Sequence, residues 1–156
     1  MPVKKIIKKF NYSKKDLIEL VLKIDDYKNF LPWCVDSKIL SISKNKKNKE
    51  IIADLEIGFK SFREIYTSKV LYDDLNSKIE VTSINGNIKK LLNIWEFKEI
   101  NKNSCNVIFF IDIELKNPII NILFKKFFNY GFEKILKSFE EQARETIKCY
   151  MMINNF

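Results

Sequence analysis

The stretch 118–150, PIINILFKKFFNYGFEKILKSFEEQARETIKCY, decides the fold. Pro118 suits the first turn of a helix, where a missing N–H costs nothing. No proline follows it, and the only glycine in the stretch is Gly131. From Phe128 onward, Phe128, Phe132, Ile135, Leu136, Phe139, Ala143, Ile147 and Tyr150 recur at helical spacing. At about 100° per residue they share one face, while Lys134, Lys137, Glu141, Arg144, Glu145 and Lys148 crowd the other. A helix with so much aromatic area on one side must bury it, and the chain upstream reads as the sheet that covers it.

The first turns do not fit this face. Ile119, Ile120, Leu123 and Phe127 point about 100–160° away from Phe139 on a helical wheel, and Lys125 lands near the core side. This predicts either a break at Asn129-Tyr130-Gly131, where glycine weakens a helix, or an apolar partner for the outer face of the first segment.

Upstream, residues 3–10 read as a strand with Ile6, Ile7 and Phe10 among lysines. Ser13 followed by Asp16 resembles a capping box and opens a short helix carrying Leu17, Ile18, Leu20, Val21, Leu22 and Ile24. Asp25-Asp26 starts a second, shorter helix through Tyr27 and Phe30, which Pro32 ends by disfavouring helical geometry in the residue before it. From Cys34 to Leu115 the apolar period becomes two. The lysine-rich run 44–49 reads as a hairpin tip, and Asn85-Gly86 as a tight turn. Ile51, Ala53, Leu55, Ile57 and Phe59 share a side, as do Trp95 and Phe97, and Cys105, Val107, Phe109, Ile111, Ile113 and Leu115. Such alternation suits antiparallel strands with one buried face. No repeat or linker divides the chain, so one domain over 1–156 is expected. The order is a strand, two short helices, about six antiparallel strands and one long helix. It points to an α+β helix-grip fold, a curved antiparallel sheet wrapped around the C-terminal helix with a cavity between them.

The net charge of +8 and pI near 9.3 raise nucleic acid, ribosome or an anionic membrane as partners. A biased composition accounts for much of that charge: 26 Lys, 24 Ile and 16 Asn stand against 2 Arg, 2 Ala and 3 Gly. Arg, the better residue for bidentate phosphate contacts, is nearly missing, and no DNA partner is expected. With no histidine in the chain, His-based acid–base chemistry, Ser-His and Cys-His nucleophiles and most zinc sites are excluded. No metal site is expected. Cys34, Cys105 and Cys149 are scattered, as suits free thiols in a reducing compartment. No signal peptide and no spanning segment is legible. The expected setting is cytoplasmic, with a peripheral position on the inner membrane as a variant. No pair of carboxylates is evidently placed in the apolar interior for general acid–base work, so no enzyme is expected.

Tyr27-Lys28-Asn29-Phe30-Leu31-Pro32-Trp33-Cys34 resembles the YPxFLPWC signature of the START-like coenzyme Q-binding and ribosome-association toxin family, within the polyketide cyclase-like superfamily. Gly58-Phe59-Lys60, Arg63-Glu64 and the run 66–70 are similar to its GFK..RE.FTSRV strand. Asn85-Gly86, Leu91 and Trp95-Glu96-Phe97 resemble its DGPFxxLxxxWxF, and Phe139-Glu140 with Ala143-Arg144 its closing AFExRA. Lys28 replaces the signature proline, and Gly86-Asn87-Ile88 replaces Gly-Pro-Phe, so one rim aromatic is missing. The resemblance implies a non-enzymatic protein holding a polyprenyl quinone, ubiquinone, as ligand in the helix–sheet cavity, with no other cofactor, and delivering it for respiration. Its alternative implication is a toxin that binds the large ribosomal subunit and blocks subunit joining. The expected cavity wall is Phe30, Leu31, Trp33, Phe62, Tyr66, Trp95, Phe97, Phe109, Phe128 and Phe132. Ile119, Ile120, Leu123 and Phe127 are the expected gate and membrane contact.

Overall fold

The structure, a computed structural model, describes residues 3–59 and 61–154; Phe59, Phe127, Asn129 and residues 148–154 are described by backbone alone. The expected gate residue Phe127, and Cys149 and Tyr150, therefore lie outside the described side chains.

The elements follow the expected order. Strand β1 (Val3–Phe10) leads to helix α1 (Lys14–Leu22), a single 3₁₀ turn (Ile24–Asp26) and helix α2 (Tyr27–Phe30). Six strands follow, β2 (Cys34–Asn45), β3 (Asn48–Phe59), β4 (Phe62–Asp73), β5 (Lys78–Gly86), β6 (Ile88–Asn101) and β7 (Ser104–Leu115), and then helix α3 (Pro118–Asn154). Ser13 caps α1 as its sequence suggests, its hydroxyl accepting from the Asp16 N–H at 3.1 Å. Leu31, the residue before Pro32, is extended and ends α2. Every strand pairing is antiparallel, in the order β1-β7-β6-β5-β4-β3-β2. One face of this curved sheet meets α3, which is the helix-grip arrangement.

The inner face is where the period of two places it. Ile51, Ala53 and Leu55 of β3, Trp95 and Phe97 of β6, and Val107, Phe109, Ile113 and Leu115 of β7 are all buried. From α3 come Phe128, Phe132, Leu136, Phe139 and Ala143. Helix α1 adds Leu17, Ile18, Leu20, Val21 and Leu22.

The expected break in α3 does not occur, because Pro118–Asn154 is one continuous helix. The mismatch on the wheel is resolved by a drifting stripe. Ile120, Phe128, Phe132 and Leu136 are buried and Phe124 packs partly against them. Residues spaced by four advance about 40° per step around a helix, so the stripe winds around α3 instead of running straight. Ile120 is therefore core-facing rather than part of an outward row, and Lys125 is exposed rather than on the core side. Ile119 (70% exposed) and Ile122 (58% exposed) take the outer positions, with Leu123 half-buried.

Gly131 has a packing role in place of the expected helix-breaking one. It is buried in mid-helix, and a Cβ there would overlap the six-membered part of the Trp33 indole. The glycine leaves a notch on α3 into which the loop after α2 inserts its tryptophan. Gly131→Ala should accordingly change sign with its neighbour. In the native background we expect a loss of about 1–3 kcal/mol from overpacking. In a Trp33→Ala background it should stabilise by up to about 1 kcal/mol, the helix propensity gained over glycine. Urea denaturation of the four variants measures both, and a loss of equal size in the two backgrounds would refute the notch.

Candidate functional site

Between α3 and the inner face lies an apolar cavity of about 230 Å³. Its floor is Trp95 and Leu91 of β6 with Phe109 and Ile113 of β7, and its roof is Ile120, Phe124, Phe128, Phe132 and Phe139 of α3. The side wall comes from Leu55 and Ile57 of β3 with Phe62, Glu64 and Tyr66 of β4, and Leu31, Trp33 and Cys34 close it from the loop after α2.

Several turns ring one end. The Gly58 N–H donates to the Trp33 carbonyl at 2.8 Å, tying the loop to β3. The Asn87 N–H donates to the Ile65 carbonyl at 3.4 Å, and the Lys116 N–H to the Asn87 carbonyl at 3.1 Å. Lys116 Nζ adds a bond to the Gly86 carbonyl at 2.7 Å. The Trp33 loop, the β5–β6 turn and the lead into α3 thus meet around one mouth. Gly86 sits there at φ +112°, with the Ile65 carbonyl and the Tyr66 backbone where a Cβ would be. Trp33 itself holds φ +64°, a conformation that a bulky side chain rarely adopts. Strain of this kind persists only where the surroundings over-determine it. Here the Gly58 hydrogen bond and the Gly131 notch do so.

Most of the expected wall borders the cavity: Leu31, Trp33, Phe62, Tyr66, Trp95, Phe109, Phe128 and Phe132. Phe30 and Phe97 do not. Phe30 packs edge-on against Tyr27 and Phe139, and Phe97 stacks behind Trp95. Of the expected gate, Ile120 faces the cavity, whereas Ile119 and Leu123 are not part of its lining. Among the residues that sequence reasoning missed are Glu64, Ser68 and Asn93. Their inward positions follow from the period of two along β4 and β6, but the aromatic-wall expectation included only apolar and aromatic residues.

The polar groups are few and mostly committed. The Tyr27 hydroxyl donates to the Val21 carbonyl, and Ser68 Oγ to the Ala53 carbonyl at 3.2 Å. Asn93 donates from Nδ2 to the Phe110 carbonyl at 2.8 Å and accepts the Trp95 indole N–H at 2.9 Å, which fixes the central tryptophan. Burial pushes the Tyr27 and Tyr66 hydroxyls well above their ordinary range, and neighbouring Cys34 adds to both. Burial likewise pushes the Cys34 thiol up to about 11, with the Ser37 hydroxyl pulling weakly the other way. A thiol so raised is protonated at neutral pH and is a poor nucleophile. The lining can surround an apolar molecule and orient one polar edge of it.

The profile of the family described as polyketide cyclase / dehydrase and lipid transport matches residues 11–140. The chain is 32% identical over 148 residues to the mitochondrial coenzyme Q-binding protein COQ10 of Dictyostelium discoideum, covering 91% of this chain and 69% of that protein. It is 32% identical over 140 residues to the ribosome association toxin RatA of Rickettsia prowazekii, covering 88% of this chain and 92% of the toxin. Among solved structures, a START superfamily protein from Mycobacterium smegmatis superposes with a TM-score of 0.76 at 15% identity, covering 92% of this chain and 97% of that one. The Zhui aromatase/cyclase from a Streptomyces species superposes with a TM-score of 0.74 at 9% identity, covering 94% and 95%. At those identities the two structures speak for the fold alone. With the profile and the two relatives spanning most of its length, the chain belongs to the polyketide cyclase / dehydrase and lipid transport family, together with these coenzyme Q-binding and ribosome-association toxin relatives.

Proposed function

We propose that this protein is a non-enzymatic carrier of a prenyl quinone, ubiquinone being the leading candidate, which it shields from water and hands over at a membrane surface. The observation that carries this reading is the apolar cavity between α3 and the sheet, with few polar groups, of which Tyr27, Ser68 and Asn93 are engaged in bonds within the protein. At about 230 Å³ it is below the roughly 300–1,000 Å³ of common ligand pockets. It suits a ring and a short length of tail, so the rest of a long tail would leave through the mouth. Affinity would come from burying apolar surface, at about 0.8 kcal/mol per CH₂. The protonated Cys34 thiol, the committed Asn93 and a chain without histidine support a binding role over a catalytic one.

Membrane contact would use the outer side of α3's first turns. Ile119 and Ile122 are exposed there, next to the exposed Lys125 and Lys126, an apolar-plus-basic arrangement suited to anionic head groups. No helix among the described residues is long and apolar enough to cross a membrane, so contact would be peripheral, at a cytoplasmic face.

A second reading has its own support. A relative of equal identity is named a ribosome association toxin, and exposed lysines mark β1 (Lys5, Lys9) and the β2–β3 tip (Lys46, Lys47). These would meet ribosomal RNA on a surface separate from the cavity mouth.

Extraction of the purified protein followed by mass spectrometry should recover a prenyl quinone in near-stoichiometric amount; repeated absence of any prenyl lipid would sink the carrier reading. Because Ile120 is core-facing, the membrane test falls on its neighbours. Ile119→Glu with Ile122→Glu should leave the melting temperature within a few degrees, as surface changes of at most about 0.5 kcal/mol each do, yet abolish quinone transfer between anionic liposomes. Transfer at the native rate would remove the membrane role from this surface. For the ribosome reading, overexpression should raise free subunits at the expense of monosomes, and association should weaken steeply with salt; unchanged sucrose-gradient profiles would exclude it.

A further inference from the structure

Among the described residues three buried side-chain oxygens lack a hydrogen-bond partner: Glu64 Oε2, Ser104 Oγ and Asp112 Oδ1. Asp112 is held through its other oxygen by Lys90 at 2.5 Å, and neither it nor Ser104 borders the cavity. Glu64 does. Alternation along β4 turns Glu64, Tyr66 and Ser68 inward, while Arg63 faces the other way and packs over Gly58. In register, Cys34, Ile57 and Glu64 stand side by side across β2, β3 and β4, with Leu55 and Tyr66 in the next row. This row lies directly beneath the strained Trp33 loop.

A carboxylate therefore faces an apolar cavity with an acceptor unmet. Burying an unmet acceptor is costly, more so when it is charged, and an apolar tail cannot relieve it. Of the neighbouring donors, Tyr27, Ser68 and the Asn93 amide bond within the protein, and the Tyr66 hydroxyl, one row away, makes no bond to Glu64 Oε2. A ligand hydroxyl can supply that relief, because Oε2 stands unmet as an acceptor. A fully oxidised, fully substituted quinone offers acceptors only, so its ring oxygens would face Glu64 lone pair to lone pair. A hydroquinone or phenol supplies the missing donor. Resting on the carrier reading above, we propose that this cavity selects head groups bearing a phenolic or hydroquinone hydroxyl, which donates to Glu64 Oε2, over the oxidised quinone. The occupant class is then prenyl hydroquinones and prenyl phenols.

The test compares a decyl-tailed dimethoxy-methyl benzoquinone with its hydroquinone, kept reduced under argon, by tryptophan fluorescence titration of the intact protein. Native protein should bind the hydroquinone roughly tenfold or more tightly, the scale of one charge-assisted hydrogen bond. Glu64→Leu should bind both forms alike, through the tail. Glu64→Gln, whose amide also donates, should recover affinity for the quinone. Equal binding of the two forms by native protein, or tighter quinone binding, overturns the selectivity and leaves the carrier reading standing. Binding of neither form by native protein overturns both. The native comparison decides even where a Glu64 variant fails to fold.

Discussion

The grip of the sheet on α3 depends on a run of aromatic contacts between the helix and the neighbouring strands β6 and β7. Trp95 of β6 lies edge-on to Phe109 of β7 at 4.6 Å and to Phe139 of α3 at 5.0 Å between ring centroids. Phe109 in turn meets Phe132 of α3 at 5.1 Å. Edge-to-face pairs of this kind contribute about 0.5–1.5 kcal/mol each beyond the area they bury. Their orientation is fixed from behind, because Phe97 stacks under Trp95 and the Asn93 amide accepts its indole N–H. The clamp sets where the helix crosses the sheet, and so sets how much space is left toward the mouth, where Phe124 and Phe128 face Tyr66 and Phe62 without closing on them.

That space is the apolar cavity of about 230 Å³. A packed interior would be more stable, since voids forfeit dispersion contacts. Here the packing is dense around Trp95 and opens toward the loop after α2. The loop is pinned by two devices, the Gly58 hydrogen bond and the seat of Trp33 on Gly131, and it carries the strained backbone of Trp33. The YxxFLPWC segment thus joins the aromatic clamp, through Tyr27 and Phe30 on Phe139, to the cavity wall at Leu31 and Trp33.

Members of this fold differ in what they set inside it. An enzyme needs a proton donor or acceptor tuned to its reaction and within reach of the substrate. This chain offers thiol and phenol groups held protonated by burial, an amide tied to the backbone, and one carboxylate at the rim.

How much of this was legible beforehand follows from the range of the interactions involved. The capped α1, the stop at Pro32, the seven strands and their inward residues rest on local preference and on a period of two, both of which the sequence carries in full. Most of the sheet's share of the aromatic wall was legible for the same reason, whereas Phe97 packs behind Trp95 and does not face the space. Tertiary structure alone decided the course of α3. A wheel assumes a straight stripe, but a curved sheet meets successive turns at successive angles, so Ile120 goes inward and Gly131 becomes a seat for Trp33 instead of a break. It also decided which inward polar residues are satisfied. Asn93, Ser68 and Glu64 look alike as interruptions of an apolar pattern; only the placement of neighbouring carbonyls and indoles in space satisfies the first two and leaves the third with an oxygen turned to the cavity.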